Sequence, residues 1–464
     1  MKKLCLKKTI AISTVICLCW SNMLGIPWTI EVIAREQCLE SQIVDTYWLT
    51  NDTTGLEEDT STFHAISENQ LYAKSAVLLD AESGRVLYAK NGQEELPMAS
   101  TTKILTCILA LENGNLDDVV TFSQYAASMP DVQLNANTGE SFYLGDLLYS
   151  LMLESHNDVA MAIAEHVGGS QLEFANMMNE KAKEIGCESS FFVSPNGLDS
   201  VGTYIDENGN EVEKVHSTTA EELALIMRYC IMLSPQKEKF LEITRTASAT
   251  FNNIIIEEDG SIVTGTRSFS CYNHNSFLSM MEGALSGKTG FTNDAGYCYV
   301  GALERDGKTL IVALLGCGWP YNKTYKWSDT TLLMNYGLDY YEFYDFQEIE
   351  IEKDVFQPIL VLDGQTNQIG ELSHAYVDIE EDAEGIDEMA RIDGILLQEG
   401  ERVEVVFDVE EVLAAPVETG KVVGTLTYEI DNRIWKKYHI FLTNSIEKID
   451  FRWCFIKVLE IFYI

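Results

Sequence analysis

Apolar positions change their period along this chain. Residues 104–111 are apolar nearly all round, as in a buried helix, and Asn113-Gly114 supply a stop. Leu144, Leu147, Leu148, Leu151 and Met152 recur at helical spacing, as do Val159, Ala160, Ile163, Ala164 and Val167, and Gly168-Gly169 close the second helix. Residues 296–303 read as a strand, 305–308 as a turn and 309–315 as a buried strand. Past Tyr344 the texture becomes alternating, at 348–352, 403–407 and 422–428, with Gly364, Gly400, Gly420 and Asp431-Asn432 as punctuation. A small all-β region is therefore predicted from about 346 to 444.

The two ends differ from this interior. Lys2, Lys3, Lys7 and Lys8 precede an uncharged stretch from Thr9 to Ile30, the pattern of a secretory signal, and Val32-Ile33-Ala34 fits a cleavage site. Uncleaved, the same stretch is long enough to span a bilayer, although Ser21, Asn22 and Pro27 weaken that reading. Residues 35–72 are polar and acidic without a clear period and read as a loose leader. At the other end, Phe451, Phe455, Val458, Leu459 and Phe462 fall on one side of a helix, with Asp450, Lys457 and Glu460 on another. Such a stripe suits a membrane interface or a docked helix. The division expected is an export signal at 1–34, a leader at 35–72, a catalytic domain at 73–344, a β-rich domain at 345–444 and an amphipathic anchor at 445–464.

Three fragments carry candidate chemistry. Ser100-Thr101-Thr102-Lys103 opens the buried helix, Ser155-His156-Asn157 lies in the break between two helical patterns, and Lys288-Thr289-Gly290 precedes the hairpin. Alone, each is an ordinary capping turn or a surface lysine. In this order they form the S-x-x-K, S-x-N and K-T-G signature of active-site serine enzymes that open D-alanyl peptides or β-lactams. The spacing has a reason. A serine hydroxyl attacks only when a base takes its proton, and residues three apart on a helix share a face. Lys103 serves as that base if burial or nearby positive charge keeps it neutral.

With these fragments the chain resembles the low-molecular-mass penicillin-binding proteins, serine-type D-alanyl-D-alanine carboxypeptidases of peptidase family S11. The likeness extends through 75–88, Pro97 to Lys103, 194–199, 216–220 and 287–297. It implies an α/β (α+β) penicillin-binding/β-lactamase-like transpeptidase fold with a central antiparallel sheet and a helical subdomain, followed by a small all-β domain. It implies Ser100 as acylated nucleophile and Lys103 as its base, with Ser155 and Asn157 in the catalytic cleft. Lys288, Thr289, Gly290 and Phe291 would bind substrate, Thr289 through its terminal carboxylate. The N–H groups of Ser100 and Phe291 would form an oxyanion hole. No cofactor is implied. The partners implied are peptidoglycan stem peptides ending in D-Ala-D-Ala, β-lactam antibiotics and the outer face of the cytoplasmic membrane. Three departures stand out. His156 replaces a small residue, 204–213 look like a polar insertion, and Lys323 or Lys326 stands near the place of a carboxylate-binding arginine.

Composition narrows the rest. The net charge is −40, from 72 acidic and 32 basic residues, which speaks against nucleic-acid binding. The acidic run 378–384 reads as a solvated face. No cysteines are spaced C-x-x-C, so zinc is not suggested, and Cys107 and Cys298 lie in apolar patterns expected of buried thiols. The rival readings are a class A-like β-lactamase, a D,D-endopeptidase and a non-catalytic wall-binding protein. The first needs a water-activating glutamate, for which no convincing candidate follows Asn157.

Overall fold

A computed structural model describes residues 45–49, 66–205, 209–346, 356–381, 394–430 and 433–462. The chain divides into two compact units. One comprises Ser61–Tyr344 with Gly394–Glu399, and the other comprises the remainder.

The first unit is built on a five-stranded antiparallel sheet. Its strands are β1 (Ser75–Asp80), β2 (Val86–Lys90), β3 (Ala284–Thr292), β4 (Gly296–Arg305) and β5 (Lys308–Leu315), in the order β3-β4-β5-β1-β2. Side chains alternate across a strand, and here both faces are covered. Val77, Leu79, Ile311, Ala313 and Leu315 join one apolar core, while Ala76, Leu78, Leu310, Val312 and Leu314 join another. Two-sided burial explains why these strands read as continuous apolar runs rather than alternating ones.

The larger core also contains helix α1 (Lys103–Asn113) and helix α2 (Asn157–Gly168). The other includes Leu333, Met334, Tyr336 and Leu338 of helix α3 (Tyr325–Tyr340). Gly337 lets that helix approach closely, since a Cβ there would come within 2.7 Å of Leu310. The mixed architecture with its central antiparallel sheet is the fold class expected. Residues 204, 205 and 211–213 of the insertion lie in an exposed hairpin, Val201–Ile205 paired with Glu211–Val215.

The second unit carries β-sheets and a terminal helix, α4 (Phe451–Phe462). In Val403–Val409, Val403, Val405 and Phe407 are buried in alternation, as the sequence predicts. Two expectations need correction. Gly394–Gln398 lies inside the range expected for the β domain but pairs with Tyr341–Asp345, and Leu396 enters the core of the first unit. The leader, expected to be loose, contains the strand Asp45–Leu49, paired antiparallel with Val403–Val409. Its residues, Asp-Thr-Tyr-Trp-Leu, do not alternate between apolar and polar, so no strand period marks them. The export signal at 1–34 and the alternation at 348–352 lie outside the described residues.

Candidate active site

The nucleophile segment bends sharply before it becomes helical. Ala99 has φ of 49°, in the left-handed region, and Ala99–Thr102 form a tight 3-10 turn that leads into α1. The sequence pattern predicts that Ser100 opens the buried helix; it sits instead one turn ahead of the α-helix, in the 3-10 turn. The tighter turn is closed by the Lys103 N–H donating to the Ser100 carbonyl.

Lys103 is fully buried. Its Nζ lies 2.8 Å from Ser100 Oγ, 2.9 Å from Asn157 Oδ1 and 2.8 Å from the Asn196 carbonyl. Burial, reinforced by the positive charge of Lys288 and opposed by Asp158, pulls its pKa well below the ordinary lysine value. Three oxygens thus surround Nζ; once neutral, the amine can keep its two N–H groups on the carbonyl-type oxygens and turn its lone pair to the Ser100 hydroxyl.

The second fragment ends a helix and starts another. Leu144–Tyr149 continues through a wide π-type turn, Ser150–Glu154, and Ser155 turns the chain at φ of 68°. His156 holds the cap position of α2 and makes no side-chain cap. Asn157 faces Lys103, while its Nδ2 donates to the carbonyls of Pro130 and Asp131. The Asp158 carboxylate accepts from the N–H groups of Leu134 and Asn135. The bulk of His156 is taken up by a 2.8 Å hydrogen bond between its Nδ1 and Ser150 Oγ, and burial lowers its pKa.

The third fragment lies on β3, as expected. Lys288 is buried, and its Nζ donates to Ser155 Oγ and to the Thr289 carbonyl, both at 2.9 Å. Burial brings its pKa down to about 7. Its charged form is favoured below that pH and lost above it. Gly290 permits β3 to meet the nucleophile turn, since a Cβ there would lie 2.9 Å from the Ser100 nitrogen. Phe291 is half exposed beside Tyr297, and Thr292 Oγ1 donates to Asp199. Lys326 is buried over the rings of Tyr297 and Trp327 and donates to the Lys323 carbonyl, while Lys323 is exposed.

The structure thus forms two hydrogen-bonded groups, Ser100 and Asn157 on Lys103 and Ser155 on Lys288, coupled through the charge of Lys288 on Lys103, with Thr289, Gly290 and Phe291 on the same strand as Lys288. Sequence reading missed the Asn196 carbonyl, because a backbone oxygen leaves no residue signature. It also gave His216 and Thr102 no role. Their contact joins positions 114 residues apart, which no local pattern reveals.

Comparison with known proteins identifies the family. Residues 62–318 match the peptidase S11 family, described as D-alanyl-D-alanine carboxypeptidase. The chain is 30% identical to D-alanyl-D-alanine carboxypeptidase DacF of Bacillus subtilis over 58% of this chain and 63% of the relative, so just under two thirds of that protein is matched. It is 31% identical to D-alanyl-D-alanine carboxypeptidase DacB2 of Mycobacterium tuberculosis, over 57% of this chain and 82% of the relative. Among solved structures, D-alanyl-D-alanine carboxypeptidase DacD from Francisella tularensis superposes with a TM-score of 0.58 at 20% identity, covering 85% of this chain and 98% of that one, a likeness of fold.

Proposed function

Because the chain belongs to the peptidase S11 family of serine-type D-alanyl-D-alanine carboxypeptidases, we propose that it removes the terminal D-alanine from peptidoglycan stem peptides through an acyl-enzyme on Ser100. The observation that carries this is the buried Lys103 amine 2.8 Å from Ser100 Oγ.

The steps follow from the contacts. Lys103 takes the Ser100 proton as Oγ attacks the carbonyl of the penultimate D-alanine. The N–H groups of Ser100 and Phe291 hold the oxyanion, at about 3 kcal/mol of barrier per donor. The proton returns to the leaving amine through Ser155, which Lys288 contacts at 2.9 Å. The peptide bond breaks, free D-alanine departs, and water hydrolyses the ester. Lys288 in its charged form has one N–H beyond its two protein partners, and with Thr289 it holds the substrate carboxylate. A β-lactam opened by the same attack leaves a covalent adduct on Ser100.

The same reading places the enzyme outside the cell, at the outer face of the cytoplasmic membrane. Among the described residues no helix is long and apolar enough to cross a membrane. Helix α4 instead leaves Phe451, Phe455, Ile456, Val458, Leu459, Ile461 and Phe462 exposed. Moving such side chains into lipid contributes about 1.5–3 kcal/mol each, enough together for interfacial attachment.

The test is release of D-alanine from a pentapeptide stem. Ser100→Ala should lower it on the order of 10⁴-fold or more. Retention of activity in that variant would remove Ser100 from the mechanism.

A further inference from the structure

His216 is buried in the first unit, and the described chain engages both of its ring nitrogens. The Val193 N–H donates to Nδ1 at 3.0 Å, and Nε2 lies 2.8 Å from Thr102 Oγ1. A backbone N–H can only donate, so Nδ1 carries the lone pair and Nε2 the proton. Thr102 therefore accepts from His216, and its own hydroxyl donates to the Ala99 carbonyl at 2.9 Å. Burial, with Lys103 as a lesser cause, lowers the His216 pKa to about 4, so the ring is neutral at physiological pH.

The end of this relay is the bond that needs holding. Ala99 occupies a left-handed conformation at φ of 49°, which is strained for a residue with a Cβ. Its carbonyl precedes the Ser100 nitrogen in one peptide plane, so turning that carbonyl turns the Ser100 N–H. Gly197 closes the other side. A Cβ there would lie 2.0 Å from the Ala99 oxygen and 2.7 Å from Thr102 Oγ1.

We propose that His216 is a positioning residue that, through Thr102, fixes the Ala99–Ser100 peptide plane and so aims the Ser100 N–H at the developing oxyanion. This rests on the reading of Ser100 as nucleophile. Because the oxyanion forms only in the transition state, the role appears in the maximal rate and not in substrate affinity.

The experiment is single-turnover acylation of the full chain by labelled penicillin, comparing His216→Phe, His216→Gln, Thr102→Val and Thr102→Ser with the unaltered protein. His216→Phe and Thr102→Val break the relay and should slow maximal acylation about tenfold or more, with half-saturation changed less than about twofold. His216→Gln and Thr102→Ser keep a donor or a hydroxyl in place and should recover most of the rate. If His216→Phe does not fold, the Thr102 pair makes the same test. Nitrogen-15 spectra of the unaltered protein should show His216 protonated at Nε2 only. Wild-type rates in His216→Phe or Thr102→Val, a loss confined to half-saturation, or the opposite tautomer would overturn the proposal. Failure of the unaltered protein to acylate at all would instead contradict the reading of Ser100.

Discussion

Lys103 and Lys288 are 0% and 3% exposed, whereas Phe451 and Phe462 of the terminal helix are 66% and 79% exposed. The catalytic cleft buries groups that water would solvate, and the helix presents groups that water would expel. Neither arrangement aids folding, because desolvating an amine is costly even when it is hydrogen-bonded and a row of exposed aromatics gains nothing from the core. Each is explained by work outside folding. Under the proposed function, desolvation makes the cleft lysine a base, and the exposed apolar area of the helix is what a membrane surface would cover. The two regions should therefore respond to opposite perturbations, the cleft to changes of proton affinity and the helix to changes of apolar area.

The sharpest break is Lys103→Arg. It keeps roughly the length but replaces the neutral amine with a guanidinium, which does not deprotonate, beside Ser100. Penicillin acylation should fall about 10²–10⁴-fold, the range of a lost general base. A near-normal acylation rate would show that proton affinity is not what the cleft controls.

Next comes pH. Lys288 has its pKa brought down by burial to about 7. Its charged form is present below that value and lost above it, so kcat/KM for a peptide with a free terminal carboxylate should fall as pH rises through about 7. Lys288→Arg should remove this fall. Stability should run the other way. Below about 7 both folded and unfolded chains hold the Lys288 proton, and the cost of burying the charge is fully present. From there toward the ordinary lysine value of 10.5 only the unfolded chain holds it, so folded stability rises with pH. Denaturation midpoints across that window check the sign.

A smaller effect is expected at the place of the missing arginine. Lys326 is buried against Tyr297, next to Phe291 across the sheet, whereas Lys323 is exposed. Lys326→Ala should raise KM for the peptide by about tenfold or less, the scale of one lost polar contact, and Lys323→Ala should leave it unchanged. Equal effects would mean that burial at Lys326 is structural.

How far the sequence disclosed this comparison depends on what kind of contact carries each part. The strands 296–303 and 309–315 and the buried helix after Lys103 were legible because burial on all sides leaves continuous apolar runs. The meeting of Ser100, Lys103, Ser155, Asn157 and Lys288 was legible because side chains of set chemistry recur at set spacings. The strand Gly394–Gln398 was not assigned to the first unit, since its pairing with Tyr341–Asp345 is made by backbone groups. The relay from His216 to Ala99 was equally hidden, because a threonine beside a functional lysine looks like a helix former with no partner.

Removal of α4 should have the smallest effect on hydrolysis. Deleting 451–464 should leave turnover of a soluble stem peptide within about twofold, while the signal-cleaved protein no longer sediments with anionic lipid vesicles. Lost turnover, or undiminished sedimentation, would end the separation of the two regions.

The central claim is that the desolvated Lys103 activates Ser100 for covalent attack. Its most direct test is peptide mapping by mass spectrometry after brief exposure to penicillin. A single penicilloyl adduct on the peptide containing Ser100 is predicted for the unaltered protein, with none in Ser100→Ala and only trace amounts in Lys103→Arg at matched times. An adduct on a different serine, or full labelling of Ser100 in Lys103→Arg, would contradict it.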